Sequence, residues 1–569
     1  MGPLIIRFLG NLVLLLAFWL TGCQRDNMLK SIVVNGPAPT AAFTYAVDST
    51  NPLKVVFTNN SKNLESVYWK FGDGVTSTVK SPEHVYSNSG SYQVELVTRS
   101  AAGYSTDTIM QLIIKGAKPN VDFRYNAMNG RSAVIDPSYP YYKNRSVESI
   151  ADEIALAGYK SVHYMVVNEL EVDANLVKAL HDRGLAVWLL VFANGTYSAW
   201  GFPSEYTSWE MEVLNANSSA AGFINFSPFS NDYVSWKKQQ LASLVATIPF
   251  DGVELFESFF PGFAFNGIEN TVYGDIGPNA QQAFQEKYGS AIPNFTDPAD
   301  PNYYKTNQDL YDKWVQFRID GISDMLREIF DGAGGIRQAK PGILVGAWGL
   351  GVDWGGGVAL EKEYEAQDIG AVVNAIHPDI YFLETNWPDW IKTDLKPDYI
   401  TTYQPFVDAI KQADPNIPIG IQTDYGSHEN TIRSSQWMQD FDSVSTTLGY
   451  TTSMGYEFHI GGDTYYTPPA PLAAKRQSDG SVIISFNKRI DEQTASQIGN
   501  YSFKVNGANQ TINIINIAVD GNRVILQATD FPPGPFEIDV NNIKDTPSLW
   551  LFNDLPANTV LPNSSVAVE

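Results

Sequence analysis

Short apolar segments alternate with helical segments from Lys118 to about Asp463, and this alternation restricts the fold more than any other feature of the chain. Alternation at this spacing is typical of βα units around a parallel sheet. Eight segments read as buried strands: Val121–Tyr125, Ser161–Val167, Ala186–Ala193, Gly252–Glu257, Leu344–Gly349, Ile380–Thr385, Ile419–Asp424 and Thr452–His459. Helices are predicted over Val147–Ala157, Asn175–Arg183, Ser235–Ala246, Tyr311–Phe330 and Tyr403–Ala413. We therefore predict an α/β fold of the TIM type, a (β/α)₈ barrel over 118–466, with its site at the carboxyl ends of the strands. A doubly wound open sheet would also alternate, but no glycine-rich dinucleotide or phosphate loop follows the first strand.

Both flanks of this region have β patterns instead. Residues 37–116 and 470–569 contain short alternating strands separated by turn residues, which predicts a β-sandwich on each side of the barrel. In the second flank the predicted strands are Val482–Phe486, Ile512–Ile517, Val524–Ala528 and Phe536–Val540. A proline-rich stretch, residues 464–471, has the composition of a stiff linker before it. The chain is therefore predicted to be multidomain.

The N-terminus has the composition of a secretory signal over residues 1–22. Arg7 precedes a mostly apolar run, Phe8–Leu20, which is too short for a comfortable membrane span. Leu20-Thr21-Gly22-Cys23 resembles a bacterial lipobox, in which the cysteine is acylated and becomes the mature N-terminus. Residues 23–36 then form a polar tether. We predict a lipid-anchored protein of the bacterial cell envelope, in the outer membrane and facing the surface or the periplasm.

Charge and cysteine content exclude several classes of function. Asp and Glu number 62 against 38 Lys and Arg, for a net charge of −24, which argues against a nucleic-acid groove and a polybasic membrane surface. Cys23 is the single cysteine of the chain, so neither an intrachain disulfide nor a cysteine-built metal site can form. We predict no cofactor and no metal. Aromatic residues make up 13%, which favours flat-faced ligands such as sugars, although β-domains can give the same value.

Carboxylates stand at the carboxyl ends of the later predicted strands. The acidic positions are Glu257, Asp353, Glu384, Asp424 and Glu457. A buried charge is costly unless it is paired, so a structural barrel has no need of this set. The alternative is that some members cap loops or form ion pairs, and Asp353 and Asp424 at loop starts fit that alternative best. We predict Glu257, Glu384, Asp424 and Glu457 as catalytic candidates.

Aromatic residues accompany these carboxylates. Trp348 ends the fifth predicted strand, and Trp387 and Trp390 follow the sixth. Large rigid rings of this kind stack on the C–H faces of sugars. We predict that Asn194, Trp348, Trp387 and Trp390 bind the substrate. The loops after the third and fourth strands are also rich in aromatic residues, which either bind sugar or form local hydrophobic clusters.

Paired carboxylates beside aromatic rings are the requirements of glycoside cleavage. One carboxylic acid of raised pKa protonates the leaving oxygen, and a second carboxylate activates water or attacks the anomeric carbon. Competing chemistries lack their motifs: the chain has no Gly-x-Ser-x-Gly, no His-Glu-x-x-His and no Walker loop. With Glu257 as the first candidate for acid, base or nucleophile and Glu384 as its partner, the sequence predicts hydrolysis of an O-glycosyl bond in a poly- or oligosaccharide.

Three family resemblances agree with this division of the chain. Tyr68-Trp69-Lys70-Phe71-Gly72-Asp73-Gly74, with Ser81–Tyr86 and Gly90–Val94, closely resembles the polycystic-kidney-disease (PKD) domain, an immunoglobulin-like sandwich. That resemblance implies a spacer or a weak carbohydrate-binding module, with Trp69 in its core. Ser485–Ile490, Asn500-Tyr501-Ser502 and Ile543-Lys544-Asp545 resemble a bacterial immunoglobulin-like domain of surface-layer type.

The third resemblance concerns the barrel. Asn225-Phe226-Ser227-Pro228, the helix at Tyr233–Val245 and the stretch Phe250–Pro261 are similar to glycosyl-hydrolase-like barrels of bacterial envelopes, in which strand four ends in a pair of acids. Phe256 replaces the first acid here, so the resemblance implies a catalytic role for Glu257 alone of that pair. The spaced Asp-x-Asp-x-Glu of family eighteen chitinases is not reproduced. Two alternatives stay open: a carbohydrate-binding lipoprotein without catalysis, and an adhesin that uses the barrel as a scaffold.

Overall fold

The computed structural model describes residues 37–48, 53–72, 75–86, 90–100, 103–114, 121–215, 222–262, 268–270, 272–352 and 357–568. Two compact units divide the chain, Met1–Pro119 and Asn120–Glu569. The predicted signal peptide, the tether and Cys23 lie outside the described residues, and so does Asp353. Among the described residues, no helix has both the length and the apolar composition needed to span a membrane.

The first unit is built from two β-sheets. A three-stranded sheet contains Phe43–Val47, Lys54–Asn59 and Glu83–Val85, and a four-stranded sheet contains Thr76–Ser77, Ser66–Lys70, Gly90–Ser100 and Gly103–Ile114. Trp69 is fully buried, and its ring contacts Phe43 and Phe57. Its Nε1 donates a hydrogen bond of 3.0 Å to the carbonyl of Val79. Trp69 is therefore a core residue, as the sequence predicts.

The second unit contains a closed barrel of eight parallel strands. In chain order the barrel strands, numbered one to eight, are Gly130–Ile135, Ser161–Val166, Ala186–Phe192, Gly252–Phe256, Leu344–Leu350, Ile380–Glu384, Ile419–Asp424 and Thr452–Tyr456. Each strand pairs with the next, and strand eight pairs with strand one. The barrel prediction is confirmed, and seven of its strands lie where the sequence predicts them.

Strand one is the exception, because the prediction of a strand over Val121–Tyr125 is wrong. A helix forms over Phe123–Met128, capped by the Asp122 side chain, which accepts a hydrogen bond from the Tyr125 amide. The carbonyl of Ala127 accepts a hydrogen bond of 2.9 Å from Trp188 Nε1 inside the barrel. Asn126 and Arg124 bond the carbonyls of Gly184 and Gly342, just before strands three and five. The helix therefore closes the amino-terminal end of the barrel.

The helices around the barrel agree with the five that the sequence predicts. The described helices of this region are Phe123–Met128, Val147–Leu156, Ala174–His181, Asn231–Thr247, Pro278–Tyr288, Gln308–Asp331, Ile336–Ala339, Val358–Tyr364, Ile369–Ile376, Trp387–Trp390, Gln404–Ala413, Ser435–Thr447 and Gly462–Tyr465. Two short antiparallel sheets form in the loops at this end of the barrel. Gly195–Thr196 pairs with Ile224–Asn225 within the loop after strand three, and Val213–Leu214 of that loop pairs with Tyr273–Gly274 of the loop after strand four.

Successive side chains along each strand point to opposite sides of the barrel wall, so inward and outward side chains form two separate hydrophobic clusters. Outward residues such as Leu189, Val253 and Ile421 pack against the helices. Inward residues form a second cluster that fills the barrel: Val134, Met165, Trp188, Leu190, Phe192, Phe256, Trp348, Phe382 and Met454. Because this interior is packed with side chains, a ligand has access only at the carboxyl ends of the strands.

The chain ends in one eight-stranded sheet. Its strand order is Ala508–Gln510, Tyr501–Val505, Phe536–Val540, Ser564–Val568, Pro471–Arg476, Val482–Phe486, Arg523–Ala528 and Ile514–Asp520. This C-terminal sheet has its own core cluster. It belongs to the same compact unit as the barrel, and Trp550 beyond strand Phe536–Val540 is part of the barrel's outer cluster. The predicted β-structure is present, and the immunoglobulin-like class stays a prediction.

Candidate active site

Glu257 lies directly after strand four, at the barrel mouth. Its backbone has a φ of +52°, a left-handed conformation that is rare for a residue with a side chain. Conformations of this kind cost about 1–3 kcal/mol and concentrate at functional sites. The side chain is half-buried, and burial raises the pKa of its carboxyl to about 7. Near neutral pH, Glu257 can therefore exist in either protonation state.

Glu384 is the last residue of strand six and is also half-buried. Trp348 Nε1 donates a hydrogen bond of 3.0 Å to its Oε2. Burial raises the pKa of Glu384 well above its ordinary value, the negative charge of Glu257 raises it further, and the Trp348 hydrogen bond partly opposes both effects. Glu257 and Glu384, the two leading catalytic candidates, thus lie close enough for the charge of Glu257 to affect the pKa of Glu384. Burial favours the neutral form of both carboxyl groups, and the charge of Glu257 adds to this effect at Glu384.

Asp424 ends strand seven, and its carboxyl group is hydrogen-bonded to the loop that follows it. Its Oδ1 accepts hydrogen bonds from the amides of Gly426, at 2.7 Å, and Ser427, at 2.8 Å, and its Oδ2 accepts one from the Ser427 hydroxyl. Burial raises its pKa, and these hydrogen bonds oppose that effect. Asp424 is a loop cap near Glu384, which matches the alternative that the sequence left open for it.

Glu457 follows strand eight and is fully buried. Its Oε1 accepts hydrogen bonds from the Tyr142 hydroxyl at 2.5 Å and from His459 Nδ1 at 3.0 Å, and its Oε2 accepts one from the amide of Asp136. The bonds from Tyr142 and Asp136 hold the loop after strand one against the end of strand eight. Since its carboxylate is occupied in this way, Glu457 serves as a positioning residue and we do not assign it the catalytic role predicted from the sequence.

The four predicted sugar-binding residues fall into two groups. Trp348 and Asn194 are buried: Trp348 holds Glu384, and Asn194 Nδ2 donates 3.0 Å to the carbonyl of Phe259, which fixes the loop after strand four. Trp390 is partly buried, and its Nε1 donates 2.8 Å to Thr385 Oγ1. Trp387 is 49% exposed and is the member of the set that has a ring face open to a ligand.

Two residues of the mouth, Asp136 and Tyr139, were missed by the sequence interpretation, and a third, Tyr197, belongs to the aromatic loop after strand three that the sequence left open between sugar binding and local clustering. Asp136 directly follows strand one and is buried, with a pKa raised by burial. Tyr139 lies close enough to Asp136 and Asp424 for both charges to raise its pKa, after the larger effect of burial. Tyr197 is half-exposed, and Glu257 contributes to its raised pKa after burial. The sequence signal for Asp136 is an Asp-Pro pair directly after an apolar run. The sequence interpretation misses it because it predicts strand one at Val121–Tyr125, before this run.

A buried acid–base pair lies inside the barrel. His163 Nδ1 and Glu254 Oε2 are 2.9 Å apart, and both side chains are fully buried. The imidazole packs against Trp188 and Phe382. Burial raises the pKa of Glu254 and His163 lowers it, and the charge of Glu254 also contributes to the raised pKa of Glu384. The electrostatic environment of Glu384 therefore extends into the barrel core.

The C-terminal sheet holds the loop that follows strand one. Arg489 Nη1 donates hydrogen bonds to the carbonyls of Tyr141, at 2.5 Å, and Lys143, at 2.8 Å. Asp520 Oδ1 accepts 2.7 Å from the amide of Ser146. The Tyr141 ring also stacks on His459, with centroids 4.8 Å apart, and His459 bonds Glu457. One side of the mouth is thus fixed by residues of the C-terminal region, outside the barrel strands.

No group of three or more His, Cys, Asp or Glu side chains suited to a metal ion occurs within the described ranges. Carboxyl groups, aromatic rings and tyrosine hydroxyls stand at the mouth. Glu257 and Glu384 are both partly exposed acids with a raised pKa, and the charge of Glu257 acts on Glu384.

Comparisons with known proteins identify the first unit. Residues 35–113 match the model of the PKD domain. Collagenase ColA of Bacillus cereus is 40% identical over 50 residues, which are 9% of this chain and 5% of that protein, so the chain spans about a twentieth of this curated relative. The PKD1 domain of the Vibrio cholerae metalloprotease PrtV is 30% identical, with a TM-score of 0.13, and the match covers 14% of this chain and all of that domain.

Two solved structures are similar to the longer part of the chain at low identity. The α-L-fucosidase isoenzyme 2 of Paenibacillus thiaminolyticus is 15% identical, with a TM-score of 0.37, over 59% of this chain and 47% of that one. Gan42B, a GH42 β-galactosidase from G. stearothermophilus, is 13% identical, with a TM-score of 0.41, over 58% and 51%. The barrel assignment rests on its own closed strand order, and the unit that precedes the barrel is a PKD domain.

Proposed function

We propose that the barrel is a glycoside hydrolase and that Glu257 and Glu384 form its catalytic pair. The observation that supports this proposal is the electrostatic coupling of two partly exposed carboxyl groups at the mouth of a packed barrel. Glycoside cleavage requires one carboxyl group that holds a proton and one that has lost it. Coupled acids in a poorly solvated site provide both states at the same pH.

The order of ionisation assigns the two roles. The pKa of Glu257 is about 7, and its charge helps to keep Glu384 protonated at higher pH. Glu384 therefore donates its proton to the glycosidic oxygen as the bond from that oxygen to the anomeric carbon breaks. Glu257 either attacks the anomeric carbon or removes a proton from the attacking water. The separation of the two carboxyl groups around a bound sugar distinguishes retention from inversion.

Aromatic rings around the pair fit a carbohydrate substrate. The side chains of Trp387 and Tyr197 are 49% and 52% exposed, and Tyr197 lies near Glu257. Sugars bind to such surfaces because their C–H faces stack on rigid rings while their hydroxyls bond neighbouring polar groups. The proposed substrate is a poly- or oligosaccharide, and no cofactor is assigned.

Incubation of the full chain with a panel of polysaccharides tests the activity directly. We expect new reducing ends from at least one glycan and none from the Glu257→Gln variant. A glycan that retards the protein in an affinity gel without being cleaved would instead support a carbohydrate-binding lipoprotein. That second candidate is favoured by Phe256, which occupies the position of the first acid in the barrels that this one resembles.

The pH dependence of turnover follows from the proposed roles. Turnover should rise with pH through about 7 as Glu257 ionises, because its carboxylate is the active form. It should fall at higher pH, when Glu384 loses the proton that it must donate. Initial rates measured across the pH range on any cleaved glycan check this bell shape. A rate that falls through pH 7 would reverse the two roles.

We also propose that Cys23 anchors the protein to the bacterial outer membrane. The lipobox at the end of a short apolar run supports this proposal, and two or three acyl chains would give stable attachment. Cys23→Ala should move the protein from the membrane fraction to a soluble or precursor form, as fractionation and immunoblotting would detect. A variant that stays with membranes after a high-salt wash would contradict the proposal.

A further inference from the structure

A cavity of about 490 Å³ opens between the loop after strand one and the loop after strand two. Protein sites for small ligands are typically about 300–1,000 Å³. Polar residues of the two loops line it: Asp136, Ser138, Lys143, Asn168, Glu171 and Asp173. Aliphatic side chains complete its walls, including Val147 and Leu176 from the helices behind the loops. Polar groups over an apolar surface are the composition of a sugar site.

The hydrogen-bonding groups of the cavity include both donors and acceptors. Asp136 supplies a buried carboxyl, whose Oδ1 accepts 2.8 Å from the amide of Ser138. Lys143 is exposed and lies near enough to lower the pKa of Asp136, after larger effects that include burial. A sugar hydroxyl both donates and accepts, so a carboxyl facing an ammonium group suits it.

The charge of the cavity selects among sugars. Three acidic residues, Asp136, Glu171 and Asp173, line it together with Lys143, and the Asp173 carboxyl also caps the helix Ala174–His181. Arg145 also lines the cavity, but its guanidinium is occupied by Glu153, Ser149 and Asn522. The lining is therefore acidic, which disfavours uronic acids and sulfated rings and accepts uncharged or amino sugars.

Asp136 joins this cavity to the candidate active site. Its amide donates a hydrogen bond to Glu457, and Tyr139, three residues further on, lies within the electrostatic reach of both Asp136 and Asp424. Asp424 in turn contributes to the environment of Glu384. Strands six, seven, eight, one and two are successive neighbours around the barrel, so the cavity beside strands one and two lies on the same rim as Glu384.

One wall of the cavity is held rigid from outside the barrel. Arg489 donates a hydrogen bond to the carbonyl of Lys143, and Asp520 accepts hydrogen bonds from the amide and hydroxyl of Ser146. Asn144 and Arg145 lie between these two fixed points. Gly521 lies so close to Arg145 that an added Cβ would be 2.3 Å from its Nε. A wall fixed before the ligand arrives reduces the entropy cost of binding.

We propose that this cavity is a second glycan subsite, which binds an uncharged or amino sugar ring of the same chain whose scissile bond lies between Glu257 and Glu384. The proposal rests on the proposed function for the position of that bond. It adds a binding site on the loops after strands one and two, and it assigns the class of sugar.

Glycan binding by variants that cannot turn over the substrate tests this subsite. The probe is an array of neutral, amino and acidic oligosaccharides of two to eight rings, applied to the full chain carrying Glu257→Gln. A second change, Ser138→Trp, places a large ring at the cavity from an exposed position. Its matched control is Ser443→Trp, an exposed serine on the outer helix Ser435–Thr447. Thermal unfolding of each variant checks that the fold is kept.

We expect neutral or amino glycans to bind, and Ser138→Trp to weaken their binding at least about tenfold, since two or three hydrogen bonds are lost. Ser443→Trp should leave binding unchanged. Equal binding by the two tryptophan variants, binding of acidic glycans alone, or no binding at all would overturn the subsite. Sensitivity to Ser138→Trp in a protein that cleaves nothing would support the subsite while contradicting the proposed hydrolysis. In the chain with Glu257 intact, cleavage that is insensitive to Ser138→Trp alone would do the reverse.

Discussion

Glu257→Gln is expected to lower glycan turnover by about 10²–10⁴, the usual effect of removing one acid–base group. Glutamine keeps the shape of the side chain but cannot ionise, so it can neither attack the sugar nor accept a proton from water. Glu384→Gln should cause a loss of similar size, because it removes the proton donor. Release of reducing ends per minute, measured at pH 7 on the best substrate of the panel, gives both values.

Glu205→Gln is the matched control, since Glu205 is exposed on the short helix Ser204–Trp209 and is remote in role from the pair. Its turnover should equal that of the unchanged protein. A Glu257→Gln protein with near-normal turnover would exclude Glu257 from the mechanism and shift attention to Asp136 and Asp424.

Stability provides a second measurement on the same variant. The pKa of Glu257 is about 7 in the folded chain, above its ordinary value, so the unfolded chain loses this proton at a lower pH. Folding stability therefore falls as pH rises from about 4.3 to 7 through this group. Glu257→Gln removes that effect and also keeps the side chain neutral. We expect the variant to unfold at a higher temperature than the unchanged protein at pH 8, but with little difference at pH 4.

Deletion of residues 471–569 should destabilise the barrel and abolish turnover. The deletion removes Trp550 from the outer cluster, and loss of a buried tryptophan alone costs about 3–5 kcal/mol. It also removes Arg489 and Asp520, which hold the loop that carries Asp136. We expect a much lower melting temperature and no release of reducing ends.

The PKD domain supplies the control for this deletion. Residues 35–113 lie in a separate compact unit, so their removal should leave the melting transition of the barrel and the turnover of short oligosaccharides unchanged. Differential scanning calorimetry and the reducing-end assay compare the two shortened chains. Equal activity of a well-folded chain ending at Ala470 would show that the C-terminal sheet has no part in the site.

The local pattern of apolar residues was sufficient to predict seven of the eight barrel strands. Strands such as Ala186–Phe192 are buried on both faces, so every residue in them is apolar and the strand is visible in the sequence. Strand one is different because it begins with Gly130, Arg131 and Ser132, which are not typical of a buried strand. Arg131 is paired with Asp442, and Ser132 bonds Thr452. These partners lie more than 300 residues away, so no local window could have identified the strand.

For the acids at the mouth, too, the local sequence identified the positions, whereas contacts with other residues separated their roles. Glu257 and Glu384 were identified because strands four and six end there, and parallel strands in a barrel present their carboxyl ends on one side. In the sequence, a position at a loop start set Asp424 apart as a candidate cap, and nothing local distinguished Glu457. That distinction depends on hydrogen-bond partners: Asp424 caps its own loop, and Glu457 binds Tyr142 and His459.

The sequence by itself determined the barrel, the PKD domain and the acidic mouth, because periodicity, turn residues and strand ends are local properties of the chain. Tertiary structure alone decided which carboxyls remain available for chemistry. It also decided that the C-terminal sheet supports the active-site rim, through Arg489 and Asp520. The physical reason is that the ionisation of a carboxyl depends on burial, hydrogen bonds and neighbouring charges, and distant parts of the chain supply all three.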